Sequence, residues 1–252
     1  MKYLINSSNK REQMEKRKLT NFIEKYHLAG NANSVGLDVK DDTLSCEFIT
    51  DDQNVVGRVT MEDFDIEDVR LGVYNTSQLT KLLTALDDKI DIKVNRAEDA
   101  AFSINISDIS TKVTFMLADM SVIRQVPQMK ELPDFNVKIK LTKDFADKFI
   151  KSKNALPETE NFAVESSDAG TKMILNYSTL NTNRITWAVV PEISSNDLNA
   201  TCFSANLFKE ILSANKDAKE GYIEVSQSGL ARVSFKGDSY SSTYYLVQLQ
   251  AA

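Results

Sequence analysis

Apolar and polar residues alternate along much of the chain in short runs, the signature of half-buried strands. In the first half such runs are Val35–Val39, Leu44–Ile49, Val55–Met61, Val69–Tyr74, Ile90–Val94, Ala101–Ile106 and Lys112–Leu117, after a short apolar stretch at Tyr3–Ile5. In the second half they are Asn136–Lys140, Phe162–Ser166, Lys172–Tyr177, Arg184–Val190, Tyr222–Ser226, Ala231–Lys236 and Thr243–Leu249. Four segments change to a helical period: Asn9–Tyr26, Thr76–Leu86, Thr142–Lys153 and Ser204–Asn215. Each predicted helix is apolar on one side only. Phe145, Ala146, Phe149 and Ile150 share a face, for example, while Asp144, Asp147, Lys148 and Lys151 point away. Four helices therefore lie on sheet and show a polar outer face.

The two halves have one order: strand, helix, several strands, helix, about three strands. One stretch carries the repeat residue by residue. Tyr74–Ala85 runs against Phe203–Ala214 at a constant offset of 129. Aromatic meets aromatic, Leu82-Leu83 meets Ile211-Leu212, and Thr84-Ala85 meets Ser213-Ala214. Each copy starts with a small polar residue suited to cap a helix and runs on into a strand. Pro127 and Pro133 bracket an extended segment close to the midpoint, since each fixes φ and biases its predecessor away from helix. The expected division is a first domain over residues 1–121, a connector over 122–135 and a second domain over 136–252.

Composition excludes several classes. At 42% hydrophobic and 26% charged residues, the 252-residue chain is neither disordered nor a disulfide scaffold. No apolar run approaches the roughly 20 residues that span a bilayer, and the start lacks a secretory apolar core. Cys46 and Cys202 lie far apart, which reads as reduced thiols of a cytoplasmic protein. The net charge of −6 should repel phosphate on average. The helical segments nevertheless carry +3 (Ser8–His27), 0 (Thr76–Lys89), +2 (Thr142–Lys153) and +1 (Ser204–Lys219), which leaves −12 for the rest. Basic helices in an acidic shell suit a protein that meets a phosphate backbone on one side. They also suit lysine's ordinary preference for helices, and charge alone does not separate the two.

Catalysis finds little support. The sequence has one histidine, His27, at the end of a predicted helix. The acidic group Glu62, Asp63, Asp65, Glu67 and Asp68 lacks an accompanying histidine, a calcium-loop glycine or a phosphate-binding glycine loop, and reads as a solvated loop. Cys46, Cys202 and Trp187 read as sheet or core residues. No enzyme activity, metal or cofactor is expected.

The duplicated order of elements, the connector with Pro127 and Pro133, and Asp63-Phe64-Asp65 followed by Val73-Tyr74-Asn75 and a leucine-rich helix to Asp87-Asp88 together resemble one family. The chain resembles the sliding clamps of T4-type bacteriophages, relatives of proliferating cell nuclear antigen. The resemblance implies an α+β chain of two DNA-clamp domains, with antiparallel sheets outside and two helices of each inside. It implies a homotrimeric ring around duplex DNA, bound without sequence preference. Its implied partners are a DNA polymerase, a clamp loader and transcription factors, in the cytoplasm of an infected host cell.

On that reading the bore candidates are Lys10, Arg17, Lys25, Lys81, Lys148, Lys151, Lys209 and Lys216. The subunit interface pairs the strand containing Lys112, Thr114 and Met116 with the next copy's strand containing Arg184, Thr186 and Ala188. An apolar tail of the polymerase docks beside the connector, on Val122, Ile123, Val126, Met129 and Leu132, completed by Ile49, Val55, Tyr245 and Val247. A structural virion β-protein and a monomeric processivity factor are the alternatives. Native mass in solution separates them.

Overall fold

The structure, a computed structural model, describes residues 13–98, 100–127, 131–195 and 198–249. The expected strand Tyr3–Ile5 and the start of the first expected helix lie outside the described residues. The first half runs β1 (Met14–Glu15), α1 (Lys16–His27), β2 (Val35–Lys40), β3 (Thr43–Ile49), β4 (Val55–Met61), β5 (Val69–Val73), α2 (Thr76–Leu83), β6 (Lys89–Ala97), β7 (Ala100–Ser107) and β8 (Lys112–Met116). The second half runs β9 (Val137–Lys140), α3 (Lys143–Ala155), β10 (Asn161–Ser167), β11 (Gly170–Leu175), β12 (Ile185–Val189), β13 (Pro191–Ser194), β14 (Leu198–Ser204), α4 (Ala205–Ala214), β15 (Glu220–Val225), β16 (Leu230–Lys236) and β17 (Tyr240–Val247).

Local chemistry accounts for the helix ends. The side chains of Asn75, Thr142 and Ser204 accept hydrogen bonds from the N–H groups of Gln78, Phe145 and Leu207, which caps α2, α3 and α4. At the start of α1 the Lys16 N–H donates instead to the Asp88 carbonyl, 2.7 Å away. The C-terminus of α1 turns out through Leu28 and Ala29, both left-handed, followed by Gly30 at φ 104°. Helix α2 stops at Leu83 and not at the expected Leu86, because the last N–H groups (Thr84, Ala85, Leu86) bond three residues back in a tightened turn.

Among the described residues three antiparallel sheets result. One has the order β1-β6-β7-β8, the second β12-β11-β10-β14, and the third, of nine strands, β13-β9-β15-β16-β17-β4-β3-β2-β5. The two halves repeat strand for strand. β1-β6-β7-β8 corresponds to β9-β15-β16-β17, and β5-β2-β3-β4 corresponds to β14-β10-β11-β12. Even the ladder registers repeat at the offset of 129. Asp91↔Ser107 becomes Glu220↔Lys236, and Ile104↔Phe115 becomes Val233↔Tyr244. The nine-stranded sheet is continuous because β17, the last strand of the second half, pairs with β4 of the first over seven residues. At that seam the Phe48 ring lies across Gly57, where a Cβ would come within 2.4 Å of the ring.

Three strands lay beyond the sequence reading: Met14–Glu15 (β1), expected within the helix Asn9–Tyr26, pairs instead with Ile90 and Lys89 of β6, and β13 and β14 follow where the reading has one strand at Arg184–Val190. The chain leaves β12 at Val189, turns at Pro191 and forms β13 on a different sheet, against β9. It then returns as β14, beside β10. The helices bury Leu19, Phe22, Ile23 and Tyr26 (α1), Leu79 and Leu83 (α2), Phe145 and Phe149 (α3), and Leu207, Phe208, Ile211 and Leu212 (α4). In the second half Phe149, Phe162 and Phe208 stack and meet edge to face, with ring centroids 4.7–5.3 Å apart.

Candidate nucleic-acid interface and docking surface

The helices pack in the order α2-α1-α4-α3, a single row running across both halves. The outward face of this row collects charge. Arg17 and Lys18 on α1, Lys81 on α2, Lys143, Lys148 and Lys151 on α3, and Lys216 just past α4 are exposed, and Lys209 is half-buried. Lys148 Nζ sits 5.5 Å from the Trp187 ring centroid, and Lys209 Nζ is 4.0 Å from Glu210. Exposed acids, among them Glu24, Asp144 and Asp147, dilute the charge. The face offers scattered cations rather than a groove. Such groups hold phosphate weakly and carry no base information.

Of the expected bore residues, Lys10 lies outside the described residues. Arg17, Lys81, Lys148, Lys151, Lys209 and Lys216 lie on or beside this face. Lys25 does not, and that expectation is corrected. Its side chain is 1% exposed, and its ammonium lies 3.1 Å and 3.4 Å from the two Asp217 carboxylate oxygens. The Tyr240 ring lies beneath it, 3.9 Å to the centroid, and the Tyr240 hydroxyl donates to Asp217 at 2.8 Å. Burial lowers the Lys25 pKa, and Asp217 recovers only part of the cost. Burial acts to raise the Asp217 pKa, but the Tyr240 hydrogen bond and Lys25 outweigh it, and the carboxyl titrates below the usual range. The burial follows from spacing: Lys25 falls beside Phe22 and Tyr26, on the flank of α1 that meets the second half. Lys18 and Lys143, absent from the sequence-based selection, are exposed on the row. Their positions off the apolar stripes were the available signal.

The connector presents an apolar surface on the other side of the molecule. Val122 is 71% and Leu132 41% exposed, and Val126 is half-buried. Val247 at the end of β17 is 49% exposed, and Ile49 and Tyr245 are half-buried. Tyr245 is opposite Val56 and Val56 is opposite Ile49 in the ladders, so these three form one cross-strand row. Arg232, opposite Tyr245, lies 4.6 Å from the Phe135 ring and ties the connector to this face. Two expected docking residues are corrected. Val55 is completely buried because it turns into the core while Val56 turns out, and Ile123 is 5% exposed because it packs over Gly36 and Gly72 of β2 and β5 while Val122 stays exposed. Met129 lies outside the described residues.

The expected interface strands are both sheet edges. β8 ends the sheet β1-β6-β7-β8, and β12 ends the sheet β12-β11-β10-β14. Lys112, Thr114, Met116, Arg184, Thr186 and Ala188 are all exposed. The Leu117 N–H donates to Phe102 on β7, so the alternate N–H groups of Lys112, Thr114 and Met116 point off the edge. Tyr74, stacked on Phe115 with centroids 5.9 Å apart, and Phe102 add exposed aromatic area nearby. His27 Nε2 is 3.0 Å from Ser77 Oγ, and burial lowers its pKa. Cys46 and Cys202 are buried, and burial raises both thiol pKa values.

No protein-family model and no curated protein matches the sequence. Solved structures match over nearly its whole length. The proliferating cell nuclear antigen of Entamoeba histolytica aligns at a TM-score of 0.73 and 17% identity, over 95% of this chain and 98% of that one. The A. fulgidus antigen, solved with the C-terminal region of FEN-1 bound, aligns at a TM-score of 0.75 and 13% identity, over 96% and 98%. The chain has the fold of the proliferating-cell-nuclear-antigen type of clamp.

Proposed function

We propose that this chain is a sliding clamp, a non-enzymatic ring that encircles duplex DNA and tethers a DNA polymerase during processive synthesis, of the kind used by T4-type bacteriophages. Its domains are residues 1–121 and 136–252, joined by the connector 122–135. The observation that carries the reading is the pair of open edges. Within the chain, β17 of the second half pairs with β4 of the first. The internal repeat makes β8 the equivalent of β17 and β12 the equivalent of β4, yet among the described residues β8 is paired on one side only, with β7, and β12 on one side only, with β11. Exposed edges invite pairing, and each copy offers one of each kind, so copies join head to tail.

On this reading the repeat also implies a register. Gly57, opposite Phe48, corresponds to Ile185, opposite Leu175 on β11, and Tyr244 corresponds to Phe115. The in-chain pair Tyr244↔Gly57 thus becomes Phe115↔Ile185 between copies. Lys112 then faces Ala188, Thr114 faces Thr186, and Met116 faces Arg184. Closure at three copies follows the family resemblance, and it lines the hole with twelve helices. Held topologically, DNA needs no tight contact. Scattered lysines let it slide, and the acidic remainder discourages binding outside. The apolar face beside the connector is the docking place for a polymerase tail, as one structural neighbour carries the C-terminal region of FEN-1. The loader would use the same kind of contact.

Retention on DNA decides the reading. The chain should stay on loader-treated circular DNA through a salt wash and run off the same DNA once linearised. Equal retention on both forms, or a chain that remains monomeric at micromolar concentration, would refute it.

A further inference from the structure

The Lys25–Asp217–Tyr240 cluster joins α1 of the first half to the α4–β15 turn and β17 of the second. A buried polar network continues behind it. The Tyr244 hydroxyl donates to the Lys25 carbonyl at 2.9 Å and accepts from Asn215, whose Oδ1 accepts from Ser242. Lys25 is buried and Asp217 is 34% exposed, so desolvation falls mainly on the lysine, and removing Asp217 strands a buried ammonium at a greater cost than the net gain from the pair.

The internal repeat shows what stands at the corresponding place between copies. Glu15 and Thr142 immediately precede α1 and α3, an offset of 127, and Phe22 and Phe149 are both buried at that spacing. Lys25 therefore corresponds to Ser152. By the offset of 129, Asp217 corresponds to Asp88, Tyr240 to Thr111, Tyr244 to Phe115 and Asn215 to Leu86. The cation, the aromatic ring and the buried hydroxyl are all missing.

We propose that Lys25, Asp217 and Tyr240 form an interdomain clasp that makes the two halves of one chain move as a rigid body, a device absent from the boundary between chains. The first part stands on the geometry within one chain. The second rests on the ring reading.

Spin labels at Gln78→Cys and Asn154→Cys, exposed positions on α2 and α3, report the separation of the halves, since Cys46 and Cys202 are buried. Labelled chains are diluted into excess unlabelled protein, so that only distances within a chain count. The native chain should give one narrow distance distribution. Lys25→Met and Asp217→Asn should broaden it roughly twofold or add a second distance. Tyr240→Phe, which removes only a hydroxyl and keeps the ring under Lys25, should broaden it less and serves if the others fail to fold. An unchanged width in the folded variants overturns the clasp. Ser152→Lys with Thr111→Tyr rebuilds the clasp at the boundary, beside the native Asp88. Copies should then dissociate about tenfold more slowly. Unchanged dissociation overturns the comparison between the two junctions. A chain monomeric throughout overturns the ring and this second part together, and the distance widths still decide the first.

Discussion

Proline at Thr114 tests the edge of β8 with little disturbance behind it. The in-chain ladders show which way this residue faces. Leu117 donates to β7, so Phe115 and Val113 belong to the same set, and the Thr114 N–H points outward. Its counterpart Thr243 faces β4 across the continuous seam. Thr114→Pro therefore removes a donor from the boundary between copies and none from the β7 ladder. Losing the bond leaves an acceptor unpaired on the neighbour, which costs about 1–3 kcal/mol. That weakens each boundary by roughly 5- to 150-fold. Within the chain the loss is the Thr114 hydroxyl bond to Asn105, 2.8 Å and exposed, so Thr114→Val is the control that keeps the N–H. Sedimentation velocity from micromolar to nanomolar protein should show the proline variant as single chains, with a melting curve like that of the valine control. If it assembles as the native chain does, β8 is not the edge that joins copies.

Replacing Lys148, Lys151, Lys209 and Lys216 together by alanine should weaken DNA-dependent loading at low salt, with each change moving stability by no more than about 0.5 kcal/mol. Unchanged loading in such a variant would turn the helix row away from DNA. Val126→Ala with Leu132→Ala should lower the affinity for an apolar polymerase C-terminal peptide about tenfold by calorimetry, with assembly preserved. Equal affinity would place the docking site elsewhere. Acid should destabilise the fold through carboxyls held low by hydrogen bonds. Asp108 accepts from the N–H groups of Asp87, Ser110 and Thr111 and titrates at about 2, and Asp217 and Asp52 are also depressed. Their contribution is complete above about pH 4 and is lost as pH falls through the folded values. The melting temperature of Asp108→Asn should fall less steeply between pH 4 and 2 than that of the native chain, and parallel curves would contradict this.

The fold was largely legible because its strands alternate and its helices carry single apolar stripes. The Tyr74–Ala85 repeat was a local trace of a correspondence that extends through three strands in register. β13 and β14 were not legible. Pro-Glu-Ile-Ser offers one apolar side chain, and Leu198–Ser204 breaks alternation because Thr201, Cys202 and Phe203 are all buried. Lys25 shows the limit at the candidate site. A periodic pattern separates the core side of a helix from the rest, but it cannot tell a flank facing water from one facing another domain. Val55 failed through parity, since a shift of one residue exchanges the two sides of a strand, and Ile123 because the helical turn Met120–Val122 lays it over Gly36 and Gly72.

The seam between β4 and β17 bears on how the protein is made. β4 ends at residue 61 and its partner is complete only at residue 247. At a synthesis rate of about 5–20 residues per second, β4 leaves the ribosome roughly ten to forty seconds before β17 exists. During that interval its hydrogen-bonding edge stands open. A β17 from a neighbouring nascent chain fits there as well as its own. Crowded translation thus favours swapped, interlocked chains, and newborn molecules gain from anything that shields β4 until the last strand arrives.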